Sequence, residues 1–183
     1  KSSEAGISPD AKLFNRVKNP LTAEKIINEY SEKEIEKILR EYGEEKFSRH
    51  IAQKITQERR VKKIKSTFEL RDIIEKSIPP KFRHGKINYA TKTFQALRIA
   101  VNGELDNLTS FLPQAISTLS YGGRLVIISF HSLEDRVIKN FFKNKEKEGT
   151  VKVLTKKPVT ASRDEVFINP RSRSAKLRAI VKI

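Results

Sequence analysis

The chain has 183 residues, with 38 Lys+Arg against 22 Asp+Glu for a formal charge of +16, and no Cys, Met or Trp. Zero Cys excludes disulfides, thiolate metal sites and cysteine nucleophiles, and with only His50, His84 and His131 no metal site is expected. No stretch approaches the roughly 18 apolar residues of a membrane span and no signal-peptide pattern is present, so a soluble cytoplasmic protein is expected, with no membrane partner. The excess of positive charge points to a polyanionic partner, nucleic acid foremost, with plain solubility as the competing reading. Because it starts at Lys1 and lacks Met, the sequence reads as part of a longer open reading frame.

Residues 1–19 are poorly patterned, and Pro9 and Pro20 break any long helix there. Helices follow from Thr22 to Ile78. Ser31 and Glu34 form a capping box ahead of Ile35, Ile38, Leu39 and Tyr42, and Gly43 is read as the left-handed stop of that helix. Phe47, Ile51 and Ile55 mark the next helix. Ser66 and Glu69 cap a further one, which carries Leu70, Ile73 and Ile74 and ends at Pro79-Pro80. Thr91 to Val101 reads as a helix, and Leu105 to Leu119 as a second, kinked or divided at Pro113.

Gly122-Gly123 then leads into Arg124-Leu-Val-Ile-Ile-Ser-Phe130, an apolar run that reads as a buried parallel strand. A helix over 132–143 is expected, capped by Ser132 with Asp135 three residues on. Val151 to Leu154 is a short strand, and the alternation of 175–183 a half-buried one. This order is the tail of an α/β sheet.

Charge falls in three blocks. Residues 46–65 hold eight Lys/Arg and one acid, 81–98 hold five and none, and 151–183 hold nine and two, which resembles a docking face more than uniform solubilisation. Ser129 to Arg136 sits where a strand hands over to a helix, the place where open α/β sheets bind ligands. The bland reading is a capped turn with His131 satisfied inside it. A Ser-His hydrolase is disfavoured, since there is no Gly-x-Ser-x-Gly elbow. Asn169 to Arg178 spaces four cations with small hydroxyl residues, a phosphate-friendly pattern whose bland reading is a solvated loop. Gly-rich nucleotide loops, a P-loop and an aromatic RNA-recognition pair are all missing.

Three runs, Tyr89 to Asn102, Gly122 to Arg136 and Asn169 to Arg178, resemble signatures of the MraW/RsmH family of methyltransferases, and Arg40 to Phe47 is similar to that family's helical insertion. The chain departs from the family where Asn88-Tyr89 stands in place of His-Pro. The resemblance implies an α/β fold, namely the C-terminal part of a Rossmann-like class I methyltransferase sheet with an all-α insertion domain. It assigns 1–19 to the unpatterned segment, 20–88 to the insertion and 89–183 to the sheet part. It further implies methylation of the N4 amine of a cytosine in small-subunit (16S) ribosomal RNA, with S-adenosyl-L-methionine as donor and the RNA or the 30S particle as partner. A homodimer is left open.

By the same resemblance, His131 and Ser132 lie at the edge of the base or cofactor pocket, with His131 either accepting a proton or orienting a loop. Lys92, Arg98, Arg136, Asn169, Arg171, Arg173 and Lys176 grip RNA. The donor-binding residues belong to an N-terminal half that the chain does not contain, so the chain alone is expected to be inactive. The alternative is a catalytically silent RNA-binding or ribosome-assembly module.

Overall fold

The structure, a computed structural model, describes residues 21–83 and 88–183; the unpatterned segment 1–19 lies outside them. Two compact units divide between Asn102 and Gly103. In the first unit every element among the described residues is helical: α1 (Ala23–Glu29), α2 (Glu32–Gly43), α3 (Ser48–Val61), α4 (Thr67–Ser77), a 3₁₀ turn (Pro80–Phe82) and α5 (Thr91–Asn102). Both capping boxes form. Ser31 Oγ accepts from the Glu34 amide at 3.3 Å while the Glu34 carboxylate accepts from the Ser31 amide at 2.8 Å, and Ser66 with Glu69 repeats this at 3.1 and 3.2 Å.

The apolar stripes of these helices meet in one core of Ile26, Ile35, Leu39, Ile51, Ile55 and Ile74, all fully buried, to which α5 adds Ala96 and Leu97. α5 packs against α1 and α2 of this helical unit. Arg59 closes the end of α1 by donating to the carbonyls of Ile27 (2.7 Å) and Tyr30 (2.6 Å), so one member of the first basic block is structural.

Gly43 proves to be needed for a different reason from the one expected. It is the last helical residue of α2, and the left-handed position falls on Glu44 at φ 46°. A Cβ on Gly43 would stand 2.8 Å from the Lys92 carbonyl oxygen and 3.2 Å from Ala96 Cβ, so glycine sets how closely α5 approaches α2.

The second unit holds α6 (Glu104–Ser117), β1 (Arg124–Ser129), α7 (Ser132–Lys147), β2 (Val151–Val153), β3 (Val159–Thr160), α8 (Arg163–Ile168), a 3₁₀ turn (Pro170–Ser174) and β4 (Lys176–Lys182). α6 runs through Pro113 as one helix rather than dividing there. The sheet order is β1-β4-β2, with β3 also on β4, and every pairing is antiparallel. The last strand therefore sits inside the sheet and β1 at its margin. Leu125 and Ile127 of β1 and Ile180 of β4 face a core with Leu112, Ile116, Ile138, Phe142 and Val151.

The other face differs from the expectation of a strand buried on both sides. Val126 and Ile128 are 53% and 54% exposed, and among the described residues β1 pairs along one edge only. The run is apolar on both faces, but this unit supplies cover for one. Among the described residues no helix is long and apolar enough to cross a membrane.

The close approach at Gly43 yields a prediction. Gly43→Ala should lower stability by about 1–3 kcal/mol, because the Lys92 backbone cannot yield as a flexible side chain would. Chemical denaturation measures it, and a change below about 0.5 kcal/mol would show slack between α2 and α5.

Candidate functional site

The register of β1 against β4 brings two of the sequence motifs together. Ser129, the last residue of β1, pairs with Lys176, the first of β4, so the turn entering α7 lies beside the turn of 169–176. Ser129 is buried and its hydroxyl donates to the Lys176 carbonyl at 3.4 Å. This junction lies at the carboxyl end of β1, where the strand hands over to α7.

The cap of α7 is His131 rather than Ser132. His131 Nδ1 accepts from the Glu134 amide at 3.3 Å, while Glu134 Oε2 accepts from the amides of His131 (3.4 Å) and Phe130 (3.0 Å). Because Nδ1 is an acceptor, the neutral ring carries its proton on Nε2. That atom faces Glu134 Oε1 at 3.4 Å and Glu104 Oε2 at 3.8 Å, without well-aligned hydrogen-bond geometry, and the side chain is 10% exposed.

Glu104, His131 and Glu134 thus place three possible metal-ligand atoms within 4.8 Å of one another. A cation at Nε2 would require the proton to move to Nδ1, where it would oppose the Glu134 N–H and undo the cap. Glu104 at the start of α6 and Glu134 in the first turn of α7 thus converge on the His131 side chain.

Asp135, read from the sequence as a cap, is instead the partner of Arg178. The guanidinium donates from Nε to Oδ1 at 2.6 Å and from its terminal nitrogen to Oδ2 at 3.2 Å, a two-point fork between side chains 13% and 7% exposed. Lys176 Nζ adds a third charge contact at 3.6 Å. Hydrogen bonding from Arg178 lowers the Asp135 pKa, against the opposing effect of burial and with help from Lys176. Glu104 lies outside the sequence motifs, and Arg178, counted among the four phosphate-friendly cations of 169–178, instead turns inward to Asp135. The Glu three positions after His131 was the available signal for the cap.

The expected RNA-contacting residues are distributed as follows. Arg171 and Arg173 are exposed on either side of buried Ser172, whose amide (2.9 Å) and hydroxyl (2.8 Å) both bond the Asn169 carbonyl and hold the turn. Asn169 and Arg136 are exposed in the same unit, Lys176 is half-committed to Asp135, and Ser132 is exposed on the first turn of α7. Lys92 and Arg98 belong to the helical unit. Lys92 donates to the Glu44 carbonyl at 3.0 Å, and Arg98 lines an apolar cavity of about 310 Å³ with Ile27, Ile64, Leu70 and Phe94.

The Asp135–Arg178 fork carries a testable cost. Asp135→Asn should destabilise by about 3 kcal/mol by leaving Arg178 buried and unpaired, whereas Asp135→Leu with Arg178→Met should recover much of that stability. Since the folded-state pKa of Asp135 is depressed, its contribution is complete above the ordinary aspartate value near 3.9 and is lost as pH falls below it. Thermal melts of wild type and Asp135→Asn should therefore converge in acid, and parallel curves would refute this.

Residues 10–183 match the profile of the MraW methylase family. Curated proteins named "Ribosomal RNA small subunit methyltransferase H" are similar to the chain. The Sulfurihydrogenibium sp. strain YO3AOP1 protein is 51% identical over 158 residues, covering 86% of this chain and 54% of that one. The Treponema denticola protein is 48% identical over 178 residues, covering 89% and 56%, and the Gloeothece citriformis protein 49% over 181, covering 97% and 58%. The chain spans little more than half the length of these relatives. The family match over most of its residues and the identity near one half agree, and the chain belongs to the MraW methylase family.

Proposed function

We propose that this chain is the sheet-closing, RNA-gripping portion of an enzyme that methylates the N4 amine of a cytosine in small-subunit ribosomal RNA with S-adenosyl-L-methionine. The observation that carries the reading is the meeting of the β1–α7 turn with the Arg171–Arg173 turn at one end of the sheet. It is supported by relatives whose name is that of a small-subunit ribosomal RNA methyltransferase. A cytosine N4 lone pair is delocalised into the ring, so the reaction depends on positioning the base in line with the donor. Exposed guanidiniums that fix the RNA backbone beside a rigid strand–helix turn are suited to that task.

The described residues do not form a cradle for the methyl donor. At the carboxyl end of β1, the amides of Phe130, His131 and Glu134 bond to Glu134 and His131 themselves, and no Gly-rich loop follows an earlier strand. The donor site is assigned to a further part of the parent protein. The unpaired edge of β1 and its open face of Val126 and Ile128, as seen among the described residues, are suited to continuing the sheet into a larger Rossmann-like one. His131 and Ser132 then border the base or donor pocket. With Nδ1 holding the cap, His131 orients the turn rather than accepting the amine proton. The occupied amides equally favour one second reading, an RNA-binding module without donor affinity.

Methyl transfer to small-subunit RNA by the full-length parent should yield N4-methylcytosine, and its absence would sink the enzymatic reading. Arg171→Ala with Arg173→Ala should weaken RNA binding and flatten its salt dependence by roughly one unit for each phosphate no longer neutralised. An unchanged slope would remove these residues from the RNA face. Calorimetry of the parent with S-adenosyl-L-methionine separates the two readings, since a silent module shows no heat of binding.

A further inference from the structure

The helical unit carries an aromatic and cationic cluster that the β1–α7 site does not use. Phe47 stands at the start of α3 without a side-chain cap, and Phe82 ends the 3₁₀ turn after α4. Their rings lie 5.2 Å apart at 49°, with the His50 ring edge-on to Phe47 at 6.5 Å. Phe82 remains 43% exposed. Two ammonium groups hover over it, Lys46 Nζ at 4.8 Å and Lys81 Nζ at 5.1 Å from the ring centre.

A cleft of about 210 Å³ opens beside these rings, and Glu45 forms part of its wall. Glu45 is 7% exposed, and one carboxylate oxygen accepts from the Phe47 amide at 2.9 Å. The other has no hydrogen-bond partner among the described residues.

We infer that this cleft is a stacking site for one unpaired, amino-bearing nucleobase of a bound RNA strand. Phe82 supplies the ring face, Lys46 and Lys81 neutralise the flanking phosphates, and the free oxygen of Glu45 accepts from the exocyclic amine. The inference rests on the RNA reading proposed above and extends it to the helical unit. The existing lysine–ring contacts do not oppose it. An exposed cation–π contact is weaker than a base–aromatic stack, and an ammonium that leaves the ring gains a phosphate instead. A solvated basic patch would require neither a half-exposed aromatic pair nor a carboxylate with an open acceptor in the same wall. A carboxylate acceptor matches the amino edge of cytosine or adenine and finds no donor at the corresponding position of uracil.

The test is fluorescence anisotropy of the full chain with twelve-residue oligocytidine, oligouridine and an abasic oligomer, across a salt series. Oligocytidine should bind more tightly than oligouridine, and Glu45→Gln should narrow the difference. Phe82→Leu, which keeps an apolar contact with Phe47, should weaken oligocytidine binding by about five-fold or more without changing the salt slope or the affinity for the abasic strand. Phe82→Trp should retain binding. Lys46→Ala and Lys81→Ala should each reduce the slope by about 0.7. Wild-type affinity in Phe82→Leu, or equal affinity for the two base-bearing strands, would overturn the inference while leaving the RNA reading standing. Failure of the wild type to bind any of the three strands would overturn the RNA reading itself.

Discussion

A single buried ion pair organises the sheet unit. Arg178 lies in the middle of β4, on the face that carries Ile180 into the core, where an unpaired guanidinium would be very costly. Asp135 accepts both arms of its fork from the first turns of α7. That pairing fixes where α7 sits along β4, and the register of β4 against β1 then sets Ser129 beside Lys176. His131, Glu134 and Glu104 arrange themselves around the same corner. The corner of the sheet proposed to face RNA is therefore built on a salt link that does not itself face solvent.

The two capping boxes were readable because their physics is local: a hydroxyl and a carboxylate three residues apart satisfy each other's amides wherever the helix lies. The apolar stripes of α2 to α4 were legible for the same reason. What escaped was decided by distant partners. Gly43 looks like a helix stop within its own segment, but its role is set by Lys92 across the interface with α5. The run 124–130 reads as buried on both faces because it is apolar throughout, yet nothing within the segment specifies antiparallel pairing to a strand fifty residues later. At the site, the motif residues were found and their roles exchanged: Ser132 gave its capping role to His131, and Asp135 left the helix start for Arg178.

The charge excess also separates into two populations once partners are visible. Arg59 and Lys182 close helix ends, Lys182 by donating to the Ile116 and Leu119 carbonyls at 3.2 and 2.7 Å, and Arg178 is internal. Arg59 and Lys182 thus stand in for caps, and Arg178 is committed to Asp135. Arg171, Arg173, Lys46 and Lys81 remain toward solvent or over an exposed ring. Block counts along the sequence cannot separate these groups, because Lys and Arg serve equally well as helix-end donors and as phosphate ligands.

The placement of β4 also sets an order of events during synthesis. It is the last strand in the chain, yet it is the one to which β1, β2 and β3 all pair. Until β4 has left the ribosome, the edge that each of these strands offers to it stays unpaired. In the helical unit α2, α3 and α4 pack on their neighbours in sequence, and α5 alone returns from farther along the chain to α1 and α2. The unit's nascent segment can condense while the sheet is still waiting for its centre, and the strand edges that β4 will cover are open to misassociation until residues 176–182 emerge.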